Sequence, residues 1–157
     1  MELKPPLEVV ALLQSRVLRS RTGLWLIPKS YLGHEADESV RLGLEAVDLR
    51  KYWLDTLPEG TRFIGVTPDK LLERLDEVAE SPGSKDCALI YNIDLLLANI
   101  KLSGRKTVWE GLYNGMPHRS RGLLIAMPIM AIDLLPSLDD LYHWRQENRI
   151  AGTSYSN

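Results

Sequence analysis

The stretch Cys87-Ala-Leu-Ile-Tyr-Asn-Ile-Asp94 holds five consecutive residues with little polar character and then turns to Asn92 and Asp94. Two other stretches repeat the form: Gly23-Leu-Trp-Leu-Ile-Pro28 and Gly122-Leu-Leu-Ile-Ala-Met127, the latter ended by Pro128. A strand with one face in water alternates apolar and polar side chains. A strand covered on both faces has no reason to alternate, and continuous short runs of this kind mark a parallel sheet between helices. The runs at 24–27, 87–91 and 123–127 therefore predict an α/β domain with a mainly parallel sheet and helices on both faces.

Helical patterns fill the intervals. Apolar residues at 9, 10, 12, 13, 17 and 18 predict a helix over 7–18, opened by Pro5-Pro6. A helix over 34–44 ends near Gly43, and Ala46-Val-Asp-Leu49 reads as a short strand before a helix through Tyr52 and Trp53 to Leu57. Pro58-Glu-Gly60 is a turn, and Arg62-Phe-Ile-Gly-Val66 a further strand. Thr67-Pro-Asp-Lys is a strong helix start, with a capping hydroxyl, proline at the first helical position and an acid in the first turn. That helix carries Leu71, Leu72, Leu75, Val78 and Ala79 on one face and stops at Ser81-Pro-Gly83. Helices over 94–100, from Ser103 to Asn114-Gly115, and over 137–146 complete the pattern, followed by a polar tail. The 157 residues form one domain on this reading, without repeat or dividing linker.

Composition narrows the classes. With 45% hydrophobic and 25% charged residues the chain is that of a globular domain. No apolar run approaches a membrane span, and Met1-Glu-Leu-Lys-Pro-Pro6 has no apolar stretch beside basic residues. The single cysteine, Cys87, has no partner for an internal disulfide, so a cytoplasmic location is expected.

In a parallel sheet, ligands and partners meet the carboxyl ends of the strands. After the first strand stands Pro28-Lys-Ser-Tyr-Leu-Gly-His34, with Lys29-Ser30 but only one glycine. A phosphate cradle needs several residues free to turn consecutive N–H groups inward, so this reads as an ordinary polar connection, and no nucleotide cofactor is expected. Asp94 stands where nucleotide hydrolases hold a magnesium-linked acid, and it also suits capping of the following helix; capping is the preferred reading, with Asn92 tying down the turn. His34, His118 and His143 are far apart and lack companions at metal-ligand spacing. Cys87 lies inside a buried strand, where a thiol behaves as a small apolar residue. No Gly-x-Ser-x-Gly is present, and Asp139-Asp140 opens a helix. No catalytic or metal-binding residue is therefore assigned.

Segment 101–121 gathers Lys101, Arg105, Lys106, Arg119 and Arg121 against Glu110, with Trp109 and Tyr113 interleaved. Such a face suits phosphates or an acidic partner surface, and also a solvated surface with intrachain pairs. In a chain of formal charge -2, it predicts at most weak DNA binding. Arg105, Arg119 and Arg121, whose forked donors fit carboxylates, are the candidate partner-binding residues.

The order of these stretches, through Ala46-Val-Asp-Leu-Arg50, Cys87-Ala-Leu-Ile-Tyr-Asn-Ile-Asp-Leu-Leu-Leu97 and Arg119-Ser-Arg-Gly-Leu-Leu-Ile-Ala-Met-Pro128, resembles the small accessory proteins of bacteriophage-exclusion (BREX) defence operons. The BrxB-like group is closer than the BrxF-like group, whose members generally keep a glycine-rich phosphate loop. The resemblance covers about residues 20–150, and it departs where Met127-Pro-Ile129 stands in place of a glycine after the final strand. It implies a P-loop-NTPase-like topology lacking a phosphate loop. It also implies a non-catalytic adaptor for a PglZ-type phosphatase-like protein, or for a defence ATPase or methyltransferase. The alternatives are a nucleotide-binding protein with an unorthodox site at Lys29, Ser30 and Asp94, and a DNA-associated protein using segment 101–121.

Overall fold

A computed structural model describes residues 3–60, 65–83 and 85–153. Five strands, β1 (Thr22–Ile27), β2 (Glu45–Asp48), β3 (Cys87–Tyr91), β4 (Gly122–Pro128) and β5 (Ile150–Gly152), form one sheet in the order β2-β3-β4-β1-β5. Every pairing between them is parallel, with registers such as Leu24↔Ile125, Leu89↔Leu124 and Asp48↔Tyr91. Helices cover both faces, as the unbroken apolar runs require. The order, with β1 between β4 and β5, is consistent with a P-loop-like α/β fold.

On one face, α1 (Pro6–Gln14) and the Leu44 end of the connection after α2 (Glu35–Leu42) cover Trp25, Ile27, Leu89, Leu124 and Ala126. The other face carries α3 (Leu49–Asp55), α4 (Pro68–Glu80), α5 (Ile93–Leu97), α6 (Leu102–Asn114) and α7 (Leu138–Gln146). These lie over Leu24, Leu26, Ala88, Ile90, Leu123, Ile125 and Met127. Successive residues of β1 and β4 thus enter opposite cores. Each fully buried leucine or isoleucine contributes about 1.5–3 kcal/mol relative to exposure. At Gly23 a Cβ would stand 2.8 Å from Val9 Cγ1, so a side chain there would push α1 off the sheet.

The local signals act as read. Thr67 Oγ1 accepts from Lys70 N at 3.3 Å with Pro68 at the first helical position, and Ser137 Oγ accepts from Asp140 N at 3.2 Å. Gly43 ends α2 in the left-handed region at φ 72°. Two expectations change. The first helix ends at Gln14, because Arg16 turns left-handed at φ 62°. The polar tail expected after Gln146 contains β5, which pairs with β1 beyond a left-handed Asn148. Three residues beside arginine and asparagine carry no strand signal of their own; the open edge of β1 supplies their hydrogen bonds. The strand expected at 62–66 lies largely outside the described residues. Among the described residues no helix is long and apolar enough to cross a membrane.

Candidate functional site

The three candidate arginines do not form one surface. Arg121 immediately precedes β4, and its side chain is only 6% exposed. Its Nη2 donates to Glu45 Oε2 at 3.0 Å, at the head of β2, while its Nε is buried without a partner among the described residues. Arg119 donates to Asp76 on α4, lies 3.7 Å from Glu80, and reaches the carbonyl of Pro117 at 2.9 Å. Both arginines are therefore paired with acids of this chain, at the amino edge of the sheet. Arg105 is half-buried in the first turns of α6 and donates to the carbonyl of Ile100. The thirteen residues of α6 span about 20 Å between the carboxyl and amino edges, which separates Arg105 from the other two. Of the five cations in segment 101–121, only Lys101 and Lys106 are exposed on α6 or its cap.

Two further arginines at the amino edge were not singled out from sequence. Arg21, which precedes β1, donates to Leu13 O at 2.8 Å, Ser120 O at 3.3 Å and Asp86 Oδ2 at 2.6 Å. Arg149, which precedes β5, donates to Thr22 O, Thr22 Oγ1, Tyr113 O and Glu147 Oε1 at 2.6–3.0 Å. Its guanidinium carbon lies 4.4 Å from the Tyr113 ring centre and 4.5 Å from that of Trp144. Burial is the largest influence on Glu147 and pushes its carboxyl up. The Tyr113 and Arg149 bonds outweigh burial and hold it below the ordinary glutamate value. Burial and then Glu147 push the Tyr113 hydroxyl up to about 12. A signal for this row exists in the sequence: Arg21, Asp86, Arg121 and Arg149 each stand one residue before a strand.

The carboxyl edge is built differently. After β1, Lys29–Tyr31 forms a single 3₁₀ turn with Lys29 and Ser30 exposed. The next helix, α2, opens with Glu35, which is 6% exposed and whose Oε1 has no hydrogen-bond partner among the described residues. At the ends of the neighbouring strands Asp48 and Tyr91 stand in register, and Asp48 accepts from Lys51 N to cap α3. Asn92, left-handed at φ 63°, occupies the cap position of α5 without a side-chain bond. Asp94 is thus not the cap expected from sequence but lies inside the first turn, where its own N–H and that of Leu95 favour the charged carboxylate. Burial, opposed by those N–H groups and reinforced by Glu35, raises Asp94 above the ordinary aspartate value. Burial, then Asp48 and Glu35, raise the Tyr91 hydroxyl. Asp48 and Tyr91 end β2 and β3 in register, Asp94 follows in the first turn of α5, and α2, which Glu35 opens, packs on both strands, so the four groups stand at one acidic corner of the sheet.

Beside β4 the same edge turns apolar. Ile129, Met130, Ile132, Leu138 and Tyr142 are 48%, 64%, 74%, 85% and 55% exposed. Their segment is held from beneath: Ile129 N donates to Ile27 O at 2.9 Å, and Trp109 Nε1 donates to Leu134 O at 2.9 Å. Cys87 is buried, and its thiol is pushed up to about 11, first by burial and then by Asp86, so it stays protonated at neutral pH. Among the described residues no three His, Cys, Asp or Glu side chains converge as a metal site.

No family model, curated protein or solved structure matches the chain.

Proposed function

We propose that this chain is a non-catalytic partner-binding module that docks through the carboxyl edge of its sheet. The observation that carries the reading is the group Ile129, Met130, Ile132, Leu138 and Tyr142, all exposed in one backbone-anchored segment. Single exposed apolar residues are ordinary on any protein surface. Several in one segment lose water contact together when a partner covers them, and such patches mark interaction sites. Lys101 and Lys106, with half-buried Arg105, stand at the start of α6 and supply cations near this edge. Arg119 and Arg121 hold the amino edge instead. The resemblance to BREX accessory proteins supports a defence assembly as the setting, with a PglZ-type phosphatase-like protein, an ATPase or a methyltransferase as the partner.

The test is co-purification of the chain with each of those components from a reconstituted operon, using Met130→Asp and Ile132→Asp. Loss of capture is expected with stability within about 0.5 kcal/mol of the unmodified chain, as for other exposed substitutions. Undiminished capture by both variants overturns the docking face. Saturable binding of ATP and magnesium that Lys29→Ala abolishes replaces the reading with the nucleotide-binding one.

A further inference from the structure

We propose that the acidic corner formed by Glu35, Asp48, Tyr91 and Asp94 is a socket for an arginine or lysine side chain presented by the docked protein. The inference rests on the docking reading and names the chemistry of what the edge receives.

Two independent observations meet there. The first is placement: Asp48 and Tyr91 end neighbouring strands in register, and Asp94 follows one turn later, so all three stand at the end where a parallel sheet presents ligands. The second is Glu35, which is 94% buried with Oε1 unsatisfied, and which acts electrostatically on both Asp94 and Tyr91. A buried acceptor without a donor costs free energy that a partner's N–H group would recover. No basic side chain of this chain bonds to Glu35 or Asp94 among the described residues, whereas the acids at the amino edge, Asp86, Glu45, Asp76 and Glu147, each hold an arginine. A guanidinium carries five donors and an ammonium three, all without acceptors, so either fits a cluster of acceptors. A divalent metal fits less well, because fewer than three acidic side chains converge on one point. Exposed Leu32 and Leu95, close in sequence to Glu35 and Asp94, offer apolar contact to the stem of such a side chain.

The experiment is an amide NMR titration of the full chain with acetyl-Gly-Leu-Arg-Leu-Gly-amide. The same peptide carrying citrulline, a neutral isostere, is the control. Saturable shifts at Glu35, Asp48 and residues 91–95 are expected with arginine and not with citrulline. Glu35→Gln and Asp94→Asn should each weaken binding by about tenfold, the loss of one charge-assisted contact. The free Glu35→Gln protein should melt no lower than the unmodified chain, because the side chain lost had no partner to satisfy. Equal binding of the citrulline peptide, shifts confined to other residues, or no saturation at millimolar peptide overturns the socket. So does millimolar magnesium that produces the same shifts and displaces the peptide, since the corner is then a metal site. If the socket fails while Met130→Asp still blocks capture, the docking reading stands without it. If both variant sets leave capture intact, both readings fall.

Discussion

At the amino edge of the sheet Arg149 has a side chain 3% exposed and donates to Thr22, Tyr113 and Glu147; at the carboxyl edge Glu35 is 6% exposed and its Oε1 receives no hydrogen bond from the described residues. Both are polar side chains with little exposure, and only Arg149 has partners among the described residues. At the amino edge each of Arg21, Arg119, Arg121 and Arg149 holds an acid of this chain, and the polar atoms left unmatched there among the described residues are Arg121 Nε and Ser20 Oγ, neither of them a charged carboxylate. At the carboxyl edge, among the described residues, Glu35 Oε1 is unmatched and Ile129, Met130, Ile132 and Leu138 are exposed, the arrangement the docking proposal rests on. The electrostatics agree: Glu147 is held below its ordinary value, whereas Asp94 is raised above its own.

The largest expected effect is that of Arg121→Glu, which would set a second carboxylate against Glu45 at a buried position. A loss of about 3–5 kcal/mol in urea unfolding is expected. Arg119→Glu, whose pairs with Asp76 and Glu80 are partly exposed, should cost about 1 kcal/mol or less. The two values together separate structural arginines from docking ones. Similar small losses for both would break the comparison and return Arg121 to the list of surface contacts.

Next comes Arg149→Met, which keeps the bulk against Tyr113 and Trp144 but removes every donor. It should cost about 3 kcal/mol, because the oxygens of Thr22 and Tyr113 lose their partners in the interior. Unfolding by urea with a change below about 0.5 kcal/mol would mean that the ring stacking alone holds β5 in place.

The smallest effects lie in acid and sharpen the contrast between the edges. Asp94 has a folded-state value above the ordinary 3.8, so its contribution is complete below that value and is lost as pH rises through the raised one. Glu147 has a folded-state value below the ordinary 4.5, so its contribution is present above 4.5 and is lost as pH falls through the lowered one. Asp94→Asn should therefore raise stability near neutrality and leave it unchanged at low pH. Glu147→Gln should lower stability near neutrality and converge with the unmodified chain at low pH. Urea midpoints measured across the acid range for both variants check the signs, and parallel profiles would show that the edges do not differ in this way.

The sequence by itself determined the α/β class, because unbroken apolar runs at Leu24, Cys87 and Leu123 can be buried only under helices on both faces. It also determined the helix starts at Thr67 and Ser137, where the capping oxygen lies three residues from its donor. Tertiary structure decided what depends on distant partners. β5 exists because β1 offers an edge more than a hundred residues away in sequence, as the Leu24↔Ile150 pairing shows. Arg119 and Arg121 read alike as basic residues in a local segment, yet their acids come from α4 and β2, which no local pattern joins to them. Glu35 shows the converse: an ordinary first-turn acid becomes an unsatisfied one only when α2 is laid over β2 and β3. Apolar periodicity is a short-range record of burial, whereas the pairing of a charge is settled by whichever element the fold brings to it.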